Sequence, residues 1–334
     1  MQDSVPVIDA HAHVAPTCIE QVVRVMDENN VEALIDMTPS LSTPNEEKAF
    51  PGPYTIEEIV TAFEKFPGRF VAFCGIDFDE FGTEGWLKRE KEALARHVEA
   101  GAAGVKIWKT LGLETLDNEG KVIPVDDERL APLLDYAQEL GCILAFHIAD
   151  PQDFFKPLTP DIDRYEVLQV HPEWWFGDRK KYPYEWWQLI RQLERVIERH
   201  RKGTIVGAHF GCAAEEIGYV ADVMRCNPHY IIDIAARLQD IGRNDPSYIL
   251  SVFTEFQDRI LMATDVAFGE PFTPESSAQA RHLWNTYREY FEKANTEIEN
   301  PSGLLKWKLS SVGMSSDILD KIYRLNAKRY LMNR

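Results

Sequence analysis

Residues 5–13 of this 334-residue chain read VPVIDAHAH, an apolar, β-branched stretch that ends in two histidines spaced one residue apart. Successive side chains of a β-strand point to opposite faces, so a strand here would place Asp9, His11 and His13 on one face. Two neutral imidazoles with this spacing can bind one cation, and imidazole suits zinc, iron, cobalt and nickel. The pattern alone occurs often by chance, so its meaning depends on the rest of the chain.

Three further apolar stretches end in a polar residue that can bind a metal or move a proton. CILAFH ends at His147, TIVGAH ends at His209, and RILMATD ends at Asp265. In an α/β barrel the carboxyl ends of the strands meet at one rim, where the active site lies. One polar residue at the end of a strand is commonly a cap, but five at a single rim predict a metal site.

The whole chain alternates short apolar stretches with segments of helical periodicity about eight times. Such alternation predicts βαβ units and a parallel sheet, and eight units favour closure into a (β/α)8 TIM barrel. No glycine-rich phosphate loop follows the first strand, which disfavours an open nucleotide-binding sheet. Glycines at positions 101 and 141 would end two of the helices. The predicted strands are 5–12, 31–37, 69–76, 102–108, 142–148, 204–209, 230–235 and 259–264, and the predicted helices include 86–100, 127–140 and 316–330.

We expect one domain over residues 1–334, with three insertions between strands and helices. The second insertion carries the aromatic run 174–176, from which Trp175 is predicted to contact substrate. These rings would roof the pocket as a lid, or alternatively bury a contact between subunits of a homo-oligomer. The three insertions lie near 38–55, 150–182 and 268–314.

The composition limits the classes of partner. Hydrophobic residues make up 45% and charged residues 27% of the chain, as in an ordinary globular protein. The net charge of −18 argues against nucleic-acid or anionic-membrane partners, since both need a basic face. The chain has neither an apolar run of roughly 18 residues nor a charged-then-apolar leader, and its five scattered cysteines indicate reduced thiols. We therefore expect a cytoplasmic protein that binds a small molecule.

These strand-end motifs resemble those of a known family. DAHAH on the first strand, histidines after the fifth and sixth strands, and ATD on the eighth are similar to the amidohydrolase superfamily. The resemblance extends over residues 9–330 and is nearest to the amidohydrolase-related branch of TIM-barrel metal-dependent hydrolases, which includes non-oxidative decarboxylases. It implies one divalent metal ion, with Zn²⁺ expected first and Mn²⁺ or Fe²⁺ next. The implied ligands are His11, His13, His147 and Asp265.

The resemblance also implies a reaction. We expect hydrolysis of a C–N or C–O carbonyl bond (an amide, ester or lactone) of a small organic acid by a metal-activated water. Asp265 would take a proton from that water, and His209 would polarise it or stabilise the oxyanion, with a role for His209 as a fifth ligand left open. The alternative is non-oxidative decarboxylation of an aromatic or enoic carboxylate on the same metal. A silent metal-binding or scaffold protein is a third hypothesis, which the complete set of polar residues disfavours.

The fourth strand leaves the number of metals open. Binuclear members of the superfamily bridge two metals through a carbamylated lysine or a glutamate on this strand, which reads AGVKIWK here. Its apolar residues should face the helices, so Lys106 and Trp108 would point into the barrel. Lys106 could bridge a second metal, contact a substrate carboxylate, or form an ion pair with Asp9 or Asp233, and Lys109 could substitute in the first two roles. We predict one metal.

Residues outside the strand ends are weaker candidates. Arg237, just after the seventh strand, could hold a substrate carboxylate through both arms of its guanidinium, or form an ion pair with a neighbouring loop. Asp233 is predicted to support a ligand rather than to react. His97, His200 and His282 lie in charged helical segments, and we expect them to be exposed.

Overall fold

The computed structural model describes residues 5–41 and 54–333 of the chain. Residues 42–53, which belong to the predicted insertion 38–55, lie outside this part. The parallel strands are β1 (Val7–Val14), β2 (Val31–Ser40), β3 (Phe70–Cys74), β4 (Gly104–Ile107), β5 (Ile143–Phe146), β6 (Ile205–Gly207), β7 (Tyr230–Asp233), β8 (Ile260–Leu261) and β9 (Val266–Phe268). They form one curled sheet in the order β8-β7-β6-β5-β4-β3-β2-β1-β9.

Hydrogen bonds between the first and last strands close this sheet into a barrel. The amide of Ala10 donates to the carbonyl of Met262, directly after β8, at 2.8 Å. Beyond this point β1 pairs with β9, where Ala12 lies opposite Val266. β8 and β9 are therefore two pieces of one eighth strand, and the predicted TIM barrel is confirmed with its last strand broken next to Asp265.

Helices occupy the connections between the strands. Gly101 and Gly141 follow two of them with positive φ angles of 115° and 82°, a conformation that favours glycine, so the predicted helix ends are confirmed. Among the described residues, no helix is long and apolar enough to cross a bilayer. The helices and helical turns are α1 (Ile19–Glu28), α2 (Ile56–Phe63), α3 (Trp86–Glu99), α4 (Thr110–Leu113), α5 (Ala131–Glu139), α6 (Tyr165–Val170), α7 (Trp186–Arg199), α8 (Ala208–Gly211), α9 (Ile217–Cys226), α10 (Leu238–Ile241), α11 (Pro246–Glu255), α12 (Pro274–Glu292) and α13 (Ser316–Asp320).

The predicted third insertion and the C-terminal segment contain further regular elements. After α12, strands β10 (Ala294–Ile298) and β11 (Leu309–Val312) form a separate antiparallel hairpin. The predicted helix 316–330 begins as α13 and continues as two π-helical segments, Lys321–Leu325 and Lys328–Met332. Ala327 and Leu331 of this tail pack against the residues that fill the barrel interior.

The core has two layers, inside the barrel and between the barrel and its helices. Ile8, Ala10 and Ile35 belong to the inner layer, whereas Val105 and Ile107 pack in the outer layer against the helices. Each large aliphatic side chain buried in this way contributes about 1.5–3 kcal/mol. The predicted outward face of β4 is confirmed, which leaves its alternate residues to face the barrel interior.

The first strand departs from simple alternation. The register of β1 against β2 shifts between Asp9 and Ala12, as in a β-bulge. Asp9 consequently points out of the barrel, where its Oδ2 accepts a hydrogen bond from the indole N–H of Trp284 on α12 at 2.8 Å. His11 and His13 instead reach into the barrel mouth. The prediction that Asp9 shares their face is wrong.

Candidate active site

A cavity of about 690 Å³ opens at the carboxyl ends of the barrel strands. All five strand-end residues singled out in the sequence contribute to its wall. The cavity also contains the predicted substrate-contacting residues Lys106, Lys109 and Arg237. The five strand-end residues are His11, His13, His147, His209 and Asp265.

Three of these residues form a close group of possible metal ligands. Oδ1 of Asp265 lies 3.2 Å from Nε2 of His13 and 3.5 Å from Nε2 of His11. Donors about 2.1 Å from a shared tetrahedral ion lie about 3.4 Å apart, so these spacings fit one divalent cation. The chemistry of two imidazoles and one carboxylate also suits a metal such as zinc, manganese or iron.

Hydrogen bonds on the far side of both imidazole rings fix their orientation. Nδ1 of His11 donates to Oδ2 of Asp233 at 2.9 Å, and Nδ1 of His13 donates to the Thr38 hydroxyl at 3.0 Å. That hydroxyl donates in turn to Asp36 at 2.6 Å. Both rings therefore direct Nε2 toward Asp265, and an acceptor on Nδ1 makes Nε2 a better ligand. The prediction that Asp233 supports a ligand fits this geometry, whereas Thr38 and Asp36 were missed in the sequence.

His209 lies in a left-handed segment directly after β6. Residues 209–212 all have positive φ angles between 56° and 64°, and each non-glycine residue in this conformation costs about 1–2 kcal/mol. The backbone amide of His209 donates to Oδ1 of Asp233 at 2.8 Å, and its Nδ1 donates to the carbonyl of Ala235 at 2.9 Å. Strain of this kind is concentrated at functional sites, and here it turns the ring toward His11, 4.8 Å away between ring centroids.

His147 reaches the cavity in a different orientation. Its Nε2 points to Oδ1 of Asp150 at 3.3 Å, and its ring lies 4.1 Å from that of His209. Within the described residues, the two close groups of possible ligands are His11 with His13 and Asp265, and His11 with His209 and Asp233. Neither contains His147, so the role of His147 as a ligand stays a prediction, and in this orientation only its Nδ1 could bind a metal.

Burial and neighbouring charges set the protonation of these groups. Burial lowers the pKa of His11 and of His209 well below the usual value, and that of His147 to about 4. Burial alone would raise the pKa of Asp265, but the nearby His11 and His13 hold it well below its usual range. Neutral imidazoles beside an ionised carboxylate are the forms that bind a divalent metal.

Lys106 lies beside the same group of ligands. It is 3% exposed, and its Nζ is 3.1 Å from Nε2 of His11, so the expectation that it points into the barrel is confirmed. Burial lowers its pKa, and the charge of Asp233 opposes this effect. An ion pair with Asp9 is excluded because Asp9 lies on the outer face. A substrate contact or a second-metal bridge stays a prediction.

Three charged side chains form one wall of the cavity. The ammonium of Lys109 donates to Oδ2 of Asp150, and Nη2 of Arg237 lies 3.7 Å from Oδ1 of the same carboxylate. Lys109, His147 and Arg237 hold the pKa of Asp150 well below its usual range despite its burial. Nη1 of Arg237 donates to the carbonyl of Ala236, whereas its buried Nη2 has no hydrogen-bond acceptor in the described part of the chain.

Asp150 was missed by the sequence analysis. The signal for it was present, since it follows His147 by three residues and precedes a proline at the same strand end.

The aromatic residues of the second insertion contribute to the roof of the cavity. Trp174 and Phe154 are in its wall, and their rings lie 6.1 Å apart in a stacked arrangement. Trp175, which the sequence suggested as the substrate contact, is not in the wall, and its indole N–H donates to the carbonyl of Lys156. Within the aromatic run, the cavity-lining residue is therefore the preceding tryptophan, Trp174.

The other histidines also test the sequence analysis. His282 is exposed, as expected. His97 and His200 are 3% and 2% exposed, so the expectation that they lie at the surface is wrong. Nδ1 of His200 bonds to Asp135 at 2.9 Å, which shows that a histidine at the end of an amphipathic helix can be buried when a carboxylate is beside it.

A family comparison identifies the protein class to which this barrel and site belong. A model of the amidohydrolase family matches residues 8–331. The chain belongs to the amidohydrolase family. It is accordingly a metal-dependent enzyme, as the strand-end residues predicted. Among curated proteins, none matches the chain significantly.

Several solved structures of amidohydrolase-like enzymes are similar to this one. The 2,6-dihydroxybenzoate decarboxylase from Rhizobium has a TM-score of 0.55 and 15% identity, covering 98% of each chain. The 5-carboxyvanillate decarboxylase from Novosphingobium aromaticivorans, with bound manganese, has a TM-score of 0.53 and 13% identity over 98% of this chain and 97% of that chain. The 4-oxalomesaconate hydratase from Rhodopseudomonas palustris has a TM-score of 0.54 and 12% identity over 98% and 96%. At these identities the likeness shows the fold alone.

Proposed function

We propose that the protein is a metal-dependent non-oxidative decarboxylase of a small aromatic or enoic carboxylate. The observation that carries this proposal is Nη2 of Arg237, which has no hydrogen-bond acceptor among the described residues and is buried in the wall of the same cavity as the close group of ligands. A buried donor without an acceptor costs about 1–3 kcal/mol, which a substrate carboxylate would recover. Similarity to decarboxylases of aromatic acids supports the choice of reaction.

We propose that His11, His13 and Asp265 hold one divalent metal ion, with His147 or His209 completing the set. A divalent ion there would supply a Lewis acid that polarises oxygen atoms of the substrate. Zn²⁺ and Mn²⁺ are the first candidates, and the manganese bound to the 5-carboxyvanillate decarboxylase favours a test of both.

The remaining residues would orient the substrate. Arg237 and Lys109 would bind its carboxylate, because a guanidinium and an ammonium form strong, charge-assisted hydrogen bonds with an anion. The rings of Trp174 and Phe154 would pack against its flat face. We therefore propose Trp174 as the substrate contact in place of Trp175. Two rings in the cavity wall suit a planar acid better than a flexible one.

Asp265 and His209 are the candidates for proton transfer. In decarboxylation the bond to the carboxylate carbon breaks, its electron pair stays on the substrate carbon, and CO₂ leaves. A proton must then reach that carbon, and Asp265 would carry it there after taking it from substrate or solvent. His209 would act as the proton acceptor, since its Nδ1 donates to the carbonyl of Ala235 and its neutral ring presents the lone pair of Nε2 to the cavity.

Hydrolysis of a carbonyl bond by an activated water is the second candidate. It is favoured by the low pKa of Asp265, because a carboxylate that is ionised at neutral pH can accept a proton from water. The two reactions use the same residues, so they have to be separated by their products.

The test is an assay in isotopically labelled water with metal-loaded protein. The substrates are 2,6-dihydroxybenzoate, 5-carboxyvanillate, and a panel of lactones and N-acyl compounds. Decarboxylation releases CO₂, and in D₂O it leaves one deuterium on the carbon that lost it. Hydrolysis instead places ¹⁸O from labelled water in the product acid. If the protein releases ¹⁸O-labelled acid and releases no CO₂ from any of the carboxylates, the decarboxylase proposal is contradicted and the second candidate is favoured.

A further inference from the structure

Lys109, Asp150 and Arg237 come from three different strand ends and meet on one wall of the cavity, which we call the charged wall. Lys109 follows β4, Asp150 follows β5, and Arg237 follows β7. Asp150 is 7% exposed and lies between the two cations, bonded to Lys109 and 3.7 Å from Nη2 of Arg237. The carboxylate of Asp150 thus takes a position that a ligand carboxylate could otherwise occupy.

The charges of this wall sum to a single positive charge. Two cations and one carboxylate leave room for one further anion, because unpaired charge is costly where water is scarce. Asp240, whose charge also acts on Arg237, is already paired with Arg164. Glu215 also acts on Arg237 electrostatically, but its side chain is exposed and is not in the cavity wall.

We propose that Asp150 is a specificity-determining residue, which limits the charged wall to substrates with one carboxylate and rejects those with two adjacent carboxylates. This inference rests on the proposed binding of a carboxylate by Arg237 and Lys109. A second substrate carboxylate on the same wall would lie against Asp150, and like charges placed together disfavour the wrong ligand.

Benzoate and phthalate provide the matched probes for this proposal. Both carry one benzene ring, but phthalate has two adjacent carboxylates that must face the same wall. Isothermal titration calorimetry on metal-loaded protein, at a pH where both are fully ionised, measures their affinities. For the unmodified protein we expect benzoate to bind about tenfold or more tightly than phthalate. Tighter binding of phthalate than of benzoate would overturn the proposal.

Two substitutions of Asp150 separate its charge from its size. In Asp150→Asn the affinity for phthalate should rise about tenfold or more relative to benzoate, because the wall then carries two positive charges. Asp150→Glu keeps the charge and should keep the preference for benzoate. An unchanged ratio in Asp150→Asn would overturn the role of Asp150 while leaving carboxylate binding intact. Failure of benzoate to bind the unmodified protein would contradict the proposed carboxylate site itself.

A second variant keeps the test decisive if Asp150→Asn does not fold, as judged by thermal unfolding. In Lys109→Met the remaining charges of the wall, those of Arg237 and Asp150, sum to zero. The affinity for benzoate should therefore fall about tenfold or more. Lys156→Met is the matched control, because Lys156 is half-exposed and lies in the insertion but not in the cavity wall. Unchanged benzoate affinity in Lys109→Met would overturn the proposal.

Discussion

Nε2 of His13 lies 3.2 Å from Oδ1 of Asp265, although the first residue belongs to the first strand and the second interrupts the last. The contact exists because the barrel closes there, with the amide of Asp265 donating to the carbonyl of His11 at 2.9 Å. Closure of the fold and assembly of the candidate metal site are therefore one structural event. Changes at either residue should reveal which of their effects concern chemistry and which concern metal binding.

Asp265→Asn should remove turnover while leaving the protein folded and able to bind some metal. The amide cannot accept and return a proton. Loss of such a group typically lowers the rate by roughly 10²- to 10⁴-fold, and we expect kcat to fall by a factor in this range. Steady-state kinetics with the accepted substrate measure turnover, and mass spectrometry measures the amount of bound metal. Asp258→Asn, an exposed aspartate paired with Lys321, is the control. An active Asp265→Asn enzyme would remove the proposed proton transfer.

Thr38→Val should weaken metal binding without touching a ligand. The substitution deletes the hydroxyl that links His13 to Asp36, and such supporting contacts typically contribute about 10- to 100-fold in metal affinity. Thr38→Ser keeps the hydroxyl and should retain the affinity of the unmodified protein. Competition with a chelator measures both. Equal metal affinity in the two variants would show that the Thr38 contact does not orient His13.

Arg237→Met should raise KM for the accepted carboxylate by about tenfold or more, because it removes a charged hydrogen-bond donor from the binding wall. Arg237→Lys should recover part of the affinity, since it restores the charge but not the two-armed geometry. Steady-state kinetics separate KM from kcat. Arg225→Met, at an exposed ion pair with Glu255, serves as the control. A KM that stays constant in Arg237→Met would exclude this residue from substrate binding.

The metal-free protein should lose stability in acid through His147. Its pKa is about 4 in the folded protein, against 6.5 for an unperturbed histidine. Between these values the unfolded chain binds a proton that the folded chain does not, so the free energy of unfolding falls by about 1.4 kcal/mol per pH unit as pH drops from 6.5 to 4. His147→Gln should lack this contribution. Denaturant unfolding at several pH values measures the difference, and parallel curves for the two proteins would contradict it.

The sequence could predict which residues reach the rim of the barrel, because alternation along a strand is a local property. The apolar stretches ending in His147, His209 and Asp265 identified three strand ends, and the alternation of β4 assigned Lys106 to the inside. The family resemblance rested on these same positions. Period and composition also predicted the eight strands and the ends of two helices at glycine.

Only the tertiary structure decided which other residues hold these side chains in place and which charges face them. The bulge in β1 turns Asp9 away from His11, and a one-residue change of register reverses the face of a side chain without any trace in composition. Asp150 meets Arg237, and Trp174 rather than Trp175 lines the cavity, because loops from separate strands pack there. Contacts between distant segments depend on closure of the barrel, which no local pattern encodes.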